Sequence, residues 1–188
     1  MDFTLISETL GQVHLMPPTT DVIIAAILAV LLLLVSGFAS GSEIAFFSLS
    51  PTDLAEVDDE KTERDRRIKL LRDDSERTLA TILITNNLVN VTIIMLCNYI
   101  FTSLVHFGEK AYWLQFICIT VLLTFLLLLF GEIMPKVYAR QNALIYCRKA
   151  VPGIFFLRKL FRAPATVLMK SGMVAGRLVQ GKTHVLSV

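Results

Sequence analysis

The sequence predicts an all-α membrane protein, with three transmembrane helices followed by juxtamembrane helices lying in the membrane interface. Three observations carry that class. Val22–Phe47, Leu79–Phe101 and Ala111–Met134 are long apolar stretches, each able to cross a hydrocarbon core about 30 Å thick at about 1.5 Å per residue. The chain of 188 residues is 54% hydrophobic with mean hydropathy +0.64, more apolar than a soluble domain of that size requires. Lys and Arg crowd some connections and are missing from others, the pattern of a multi-pass protein.

Taken in order, residues 1–188 read as a single transmembrane domain. Met1–Asp21 is a short lead without Lys or Arg, broken by Pro17-Pro18, and it lacks the basic n-region of a cleavable signal. After the first span, Ser50-Pro51-Thr52-Asp53 is a helix restart with Pro at an early position. The loop over residues 48–78 holds seven Lys and Arg among scattered apolar residues such as Leu54, Val57, Ile68 and Leu71, which predicts one or two short helices near the membrane. The second span then runs to about Phe101. A loop containing Gly108, with Lys110 as its one basic residue, turns the chain into the third span.

Beyond Pro135 the apolar pattern is interrupted by Pro152, Arg158-Lys159, Arg162, Pro164, Lys170 and Arg177. No fourth span is expected. Residues 137–178 are predicted to form interfacial helices, with Phe155, Phe156, Leu160 and Phe161 in lipid and the basic residues at headgroups. After Glu132 the chain has ten Lys and Arg and no acidic residue. The expected partner of that tail is anionic lipid at the cytoplasmic face rather than nucleic acid. The positive-inside rule places the N-terminus outside and the C-terminus in the cytoplasm of a plasma (inner) membrane. Cys97, Cys118 and Cys147 have no pairing or metal spacing and read as small apolar fillers.

The informative residues are the two acidic ones inside the spans, Glu43 and Glu132. A carboxylate at bilayer depth costs about 3 kcal/mol unless it faces a partner, a cavity or an ion. Ser36, Ser40 and Glu43 are spaced i, i+4, i+7 and share a helical face, as do Asn86 and Asn90 at i, i+4. Gly37 and Gly41 form a small-xxx-small pair suited to close helix approach. In Gly131-Glu132-Ile133-Met134-Pro135, the proline lacks an N–H, so it should kink or bulge the helix and free the Gly131 carbonyl beside the Glu132 carboxylate.

Depth agrees with convergence. Asn86 and Asn90 lie roughly 12 and 18 Å into the second span, while Ser40, Glu43 and Glu132 fall in the cytoplasmic halves of theirs. Hydroxyl, carboxamide, carbonyl and carboxylate oxygens without His or thiolate suit Mg²⁺, Ca²⁺ or Na⁺ rather than zinc or copper. Plainer readings stand beside this one. Serines and asparagines in spans are often helix–helix glue, Glu43 could pair with an Arg of the charged loop, and Glu132 could pair with Lys136 at i+4. No His lies within a span, which argues against a membrane Ser/His protease and against enzymatic activity of that kind.

At Ser36-Gly37-Phe38-Ala39-Ser40-Gly41-Ser42-Glu43, Asn86-Asn87-Leu88-Val89-Asn90 and Phe130-Gly131-Glu132-Ile133-Met134-Pro135-Lys136, the chain resembles the CorC/CNNM family of magnesium transporters. The likeness runs over about Val22–Leu178 and is closer to the bacterial CorC-like branch, which includes a gliding-motility-associated membrane protein, than to the animal one. It implies three spans, a belt of juxtamembrane helices, a homodimer and a dehydrated Mg²⁺ in an inward-facing site. The implied ligands are Ser36, Ser40, Asn90 or Asn86, the Gly131 carbonyl and Glu132. Glu43 stands where animal members carry an uncharged polar residue. The resemblance further implies Mg²⁺ export, with Na⁺ as a candidate coupling ion. Family members continue into CBS modules that bind ATP; this chain stops where the linker to them would begin. The competing functions are a membrane scaffold or assembly factor, in which the polar residues only pack helices, and a Na⁺-coupled carrier of another solute.

Overall fold

The computed structural model describes residues 14–58, 60, 62–106 and 112–170. Most of the expected external lead, the Gly108 turn and residues 171–178 of the expected interfacial helices lie outside them. The order is β1 (His14–Leu15), α1 (Thr20–Phe47), α2 (Pro51–Glu56), α3 (Glu63–Asp73), α4 (Ser75–Leu104), β2 (Val105–His106), α5 (Tyr112–Leu126), a π-helical stretch (Leu127–Ile133), α6 (Met134–Gln141), α7 (Ala143–Leu160), and α8 over residues 162–170. The fold is all-α apart from β1 and β2, which pair antiparallel with His14 opposite His106. Among the described residues, three helical segments are long and apolar enough to cross a membrane: Thr20–Phe47, Ser75–Leu104 and Gln115–Gln141. The first two are 28 and 30 residues long, or roughly 42 and 45 Å. Each therefore overruns the apolar stretch that marked it.

The chain divides into two compact units, Met1–Gly37 with Leu88–Pro135, and Phe38–Asn87 with Lys136–Val188. In the first unit the burial pattern is that of a lipid-facing bundle. Small Ala25 and Ala29 are buried on α1, while Ile24, Ile27, Leu31 and Leu34 are exposed, and Phe116, Val121 and Phe125 of α5 likewise face outward. Large side chains go outward because lipid tails accept them as readily as a protein core does; small ones let the helices approach.

The second unit has an ordinary apolar core, built from Ala45 and Phe46 of α1, Ile68 and Leu71 of α3, Ile82 of α4 and Cys147, Val151 and Ile154 of α7. The helix restart forms as the sequence predicts. Ser50 caps α2 by accepting from the Asp53 N–H at 3.1 Å, and the Asp53 carboxylate accepts from the Ser50 N–H at 2.9 Å, a reciprocal capping box.

Sequence reasoning treated the charged loop and the later helices as separate interfacial pieces, but α3 docks on α7. Arg148 donates from Nε and Nη2 to the two Asp65 carboxylate oxygens at 2.8 and 2.9 Å, and Arg158 pairs with Asp74. Phe155, expected in lipid, is half-buried with the Arg67 guanidinium 5.5 Å above its ring centroid. A planar guanidinium matches carboxylate and ring geometry alike, so opposite charges on the two segments draw them together.

Asp65 is the buried half of its pair, with a side chain 3% exposed against 37% for Arg148. The Arg148 hydrogen bonds hold its carboxyl below the ordinary value of 3.8, with burial pulling the other way. A depressed folded pKa means that this stabilisation is present above the unfolded value and lost as pH falls through the folded one. Asp65→Ala is expected to lower stability by about 2 kcal/mol, since it strands a guanidinium that water screens only in part. Thermal unfolding in detergent checks this. Glu63→Ala, which breaks the exposed Arg66 and Arg67 pairs, should change stability by less than about 0.5 kcal/mol.

Candidate metal-binding site in the spans

In the first unit three spans meet at one hydroxyl. Ser36 of α1 is fully buried, and its Oγ donates to Asn90 Oδ1 of α4 at 2.6 Å. Gly131, buried in the π-helical stretch, backs onto the same serine, because a Cβ built there would lie 3.1 Å from Ser36 Oγ. Ser36, Asn90 and the Gly131 backbone are thus brought together, and Glu132 follows directly in the chain, half-buried.

The third span widens at this point. Met134 N–H bonds the Leu129 carbonyl five residues back, so in that register the donor missing at Pro135 is opposite the Phe130 carbonyl. The α-helical register assumed from sequence assigned the loss to Gly131; the wide turn moves it by one residue. Phe130 O is covered by Gly37, at which a Cβ would lie 3.2 Å from that oxygen and 3.0 Å from Pro135 Cγ. Pro135 therefore marks the end of a bulge that begins eight positions earlier, at Leu127, and such bulges recur at functional sites.

In the second unit, Ser40 is fully buried and, among the described residues, its Oγ has no hydrogen-bond partner. Ser42, one helical turn after Phe38, donates to the Phe38 carbonyl at 2.7 Å, as does the Tyr146 hydroxyl at 3.2 Å. Asn86 is half-buried. Glu43 forms an ion pair with Lys136 at 3.7 Å, both side chains about one third exposed or less. Sequence spacing offered Glu132 to Lys136 and a loop arginine to Glu43; instead Lys136 and Glu43 take each other. Among the described residues Glu132 has no ion-pair partner. No three His, Cys, Asp or Glu side chains cluster among them either, so a cation here would be held mainly by neutral oxygens.

The two glycines of the small-xxx-small pair serve different neighbours. Gly37 admits Pro135, whereas Gly41 admits the Tyr146 ring. Sequence reasoning missed Tyr146 altogether, and its position outside the spans gave no signal beyond an aromatic on an amphipathic helix.

These features define a membrane-embedded helical domain with a widened third span and buried polar oxygens on its helices. Residues 27–186 match the sequence family described as the cyclin M transmembrane N-terminal domain, and the chain belongs to that family. It is 31% identical over 117 residues to a UPF0053 protein of Haemophilus influenzae, covering 62% of this chain and 26% of that protein. It is 36% identical over 122 residues to metal transporter cnnm-4 of Caenorhabditis elegans, covering 62% of this chain and 25% of the relative. The aligned segment thus spans about a quarter of each relative.

Proposed function

We propose that the chain is the membrane domain of a metal-ion transporter and that its cargo is Mg²⁺, bound partly dehydrated and exported from the cell interior, with Na⁺ as the candidate coupling ion. The observation that carries this reading is the Ser40 hydroxyl, fully buried without a hydrogen-bond partner among the described residues. Such a group costs about 1–3 kcal/mol unless something supplies the missing interaction, and a cation passing among oxygens does. Membership of the cyclin M family and the likeness to a protein named as a metal transporter support the same class. The proposed ligands in the first unit are Ser36, Asn90, the Gly131 carbonyl and Glu132; in the second unit the proposed oxygen donors are Ser40, Glu43 and Asn86. A donor set without His or thiolate favours Mg²⁺ over softer metals.

The topology that goes with this reading is an N-terminus outside and a C-terminus in the cytoplasm of the plasma (inner) membrane. The assembly is a homodimer, with ATP acting only through CBS modules further along a longer protein. A groove of about 590 Å³ between α4 and α5, edged by the exposed Asn98, Thr102, Thr120 and Thr124, supports a second copy, because polar side chains at lipid depth are better covered by another helix. The deciding experiment is calorimetric titration of Mg²⁺ into the purified chain together with Mg²⁺ efflux from proteoliposomes. Saturable binding with efflux is expected. A protein that binds no Mg²⁺ and passes none would instead be the scaffold or assembly factor.

A further inference from the structure

One ion pair of the second unit is built differently from the others. Along residues 38–47, where α1 enters this unit, Glu43 is the single charged side chain. On α6 the charged residues are Lys136 and Arg140, and none is acidic. Lys136 Nζ stands 3.7 Å from Glu43 Oε2, with the two side chains 34% and 27% exposed. That separation is beyond hydrogen-bond length, so charge alone holds the two together. The Asp65 carboxylate, by contrast, is gripped by two Arg148 hydrogen bonds at 2.8 and 2.9 Å. A planar guanidinium locks its partner, whereas an ammonium on a flexible four-carbon stem is free to swing away.

The pair leaves its neighbourhood half served. Ser40 lies one helical turn before Glu43 on the same face of α1, roughly 4.5 Å away along the axis. Its hydroxyl is fully buried and has no hydrogen-bond partner among the described residues, Lys136 included. The ammonium thus neutralises the carboxylate but does nothing for the hydroxyl beside it. A hard metal ion held at Glu43 would serve both, because it takes neutral and anionic oxygens together. Charge decides which ion gains by the exchange. At equal distance a divalent ion attracts Glu43 about twice as strongly as the ammonium does. A monovalent ion only matches the ammonium and still has to shed its water.

We infer that Lys136 is a tethered stand-in for the cargo: its ammonium neutralises Glu43 while no metal is bound and yields the carboxylate to an incoming divalent cation. Lys136 is then a specificity-determining residue, because only an ion of higher charge gains by displacing it. It also holds down the affinity of Ser40 and Glu43 for that ion, since the ammonium stands ready to replace each ion that departs. The inference rests on the metal-transport reading and adds to it the residue that rejects monovalent ions.

The test is calorimetric titration of Mg²⁺ into the full purified chain, in choline and in K⁺ buffers of equal ionic strength. Lys136→Gln should bind Mg²⁺ about tenfold more tightly in choline, and K⁺ should weaken that binding about fivefold while barely affecting the parent. Lys136→Arg, which keeps the charge, should show no gain. In a Glu43→Gln background, Lys136→Gln should change the affinity by less than about twofold. On the parent chain, which needs no variant to fold, Mg²⁺ should speed acylation of Lys136 by an amine-reactive ester, read by mass spectrometry. A parent that binds Mg²⁺ with Lys136 acylation unchanged overturns this inference alone. So does Lys136→Gln without a gain in affinity, or with a gain that persists at full size once Glu43 is neutralised. A parent that binds no Mg²⁺ overturns the transport reading and this inference together.

Discussion

Glu132→Gln is expected to weaken Mg²⁺ binding by at least 100-fold, measured by calorimetry on the purified chain. The substitution keeps the shape of the side chain and removes only its charge. At an effective dielectric of about 20, one unit pair at 4 Å is worth about 4 kcal/mol, and a divalent ion doubles this before desolvation offsets part of it. A net loss of about 2.7 kcal/mol, two decades in affinity, is therefore a modest demand. Glu132 has no ion-pair partner among the described residues, so its removal strands no buried cation, and the unfolding temperature should hold or rise. Glu43→Gln should act differently, because it leaves the Lys136 ammonium without its 3.7 Å counter-ion and costs stability first. If Glu132→Gln binds Mg²⁺ within threefold of the parent, the carboxylate is not a ligand.

Gly41→Leu is expected to destabilise the second unit by about 3 kcal/mol, at the upper end of overpacking costs. A Cβ at Gly41 would already stand 2.7 Å from Tyr146 Cζ and 3.2 Å from Cε2. The ring has little room to withdraw, since its hydroxyl bonds the Phe38 carbonyl and its edge meets Tyr138 at a centroid distance of 6.2 Å. Adding Tyr146→Ala should restore much of the loss, as contacting residues couple strongly. Thermal unfolding of both single variants and the double variant decides the matter. Strictly additive losses would show that the glycine is needed for another reason.

The spans were legible because length and apolarity alone decide whether a helix can cross a bilayer, and Pro135 flagged disorder in the third helical ladder. The extent of that disorder was not legible. A π turn depends on which carbonyl each N–H selects, and Leu127–Phe130 look like any other apolar run. Ser36 with Asn90 emerged from helical periodicity, and the structure joins them directly. The partnership of Glu43 with Lys136 did not emerge, because spacing along one helix favours i+4 neighbours over residues that tertiary packing brings near. Docking of α3 on α7 was hidden for the same reason. Asp65 and Arg148 are 83 positions apart, and composition alone made both look like solvated charges.

Cys147, read from sequence as filler, gives the helical unit a built-in clock. It is fully buried, and burial pushes its thiol up to about 12, so almost none of it is thiolate at neutral pH. With Cys97 and Cys118 replaced by serine, alkylation of Cys147 should proceed only as fast as α7 lifts from its neighbours. The labelling rate would then count opening events, and Gly41→Leu should make that clock run faster.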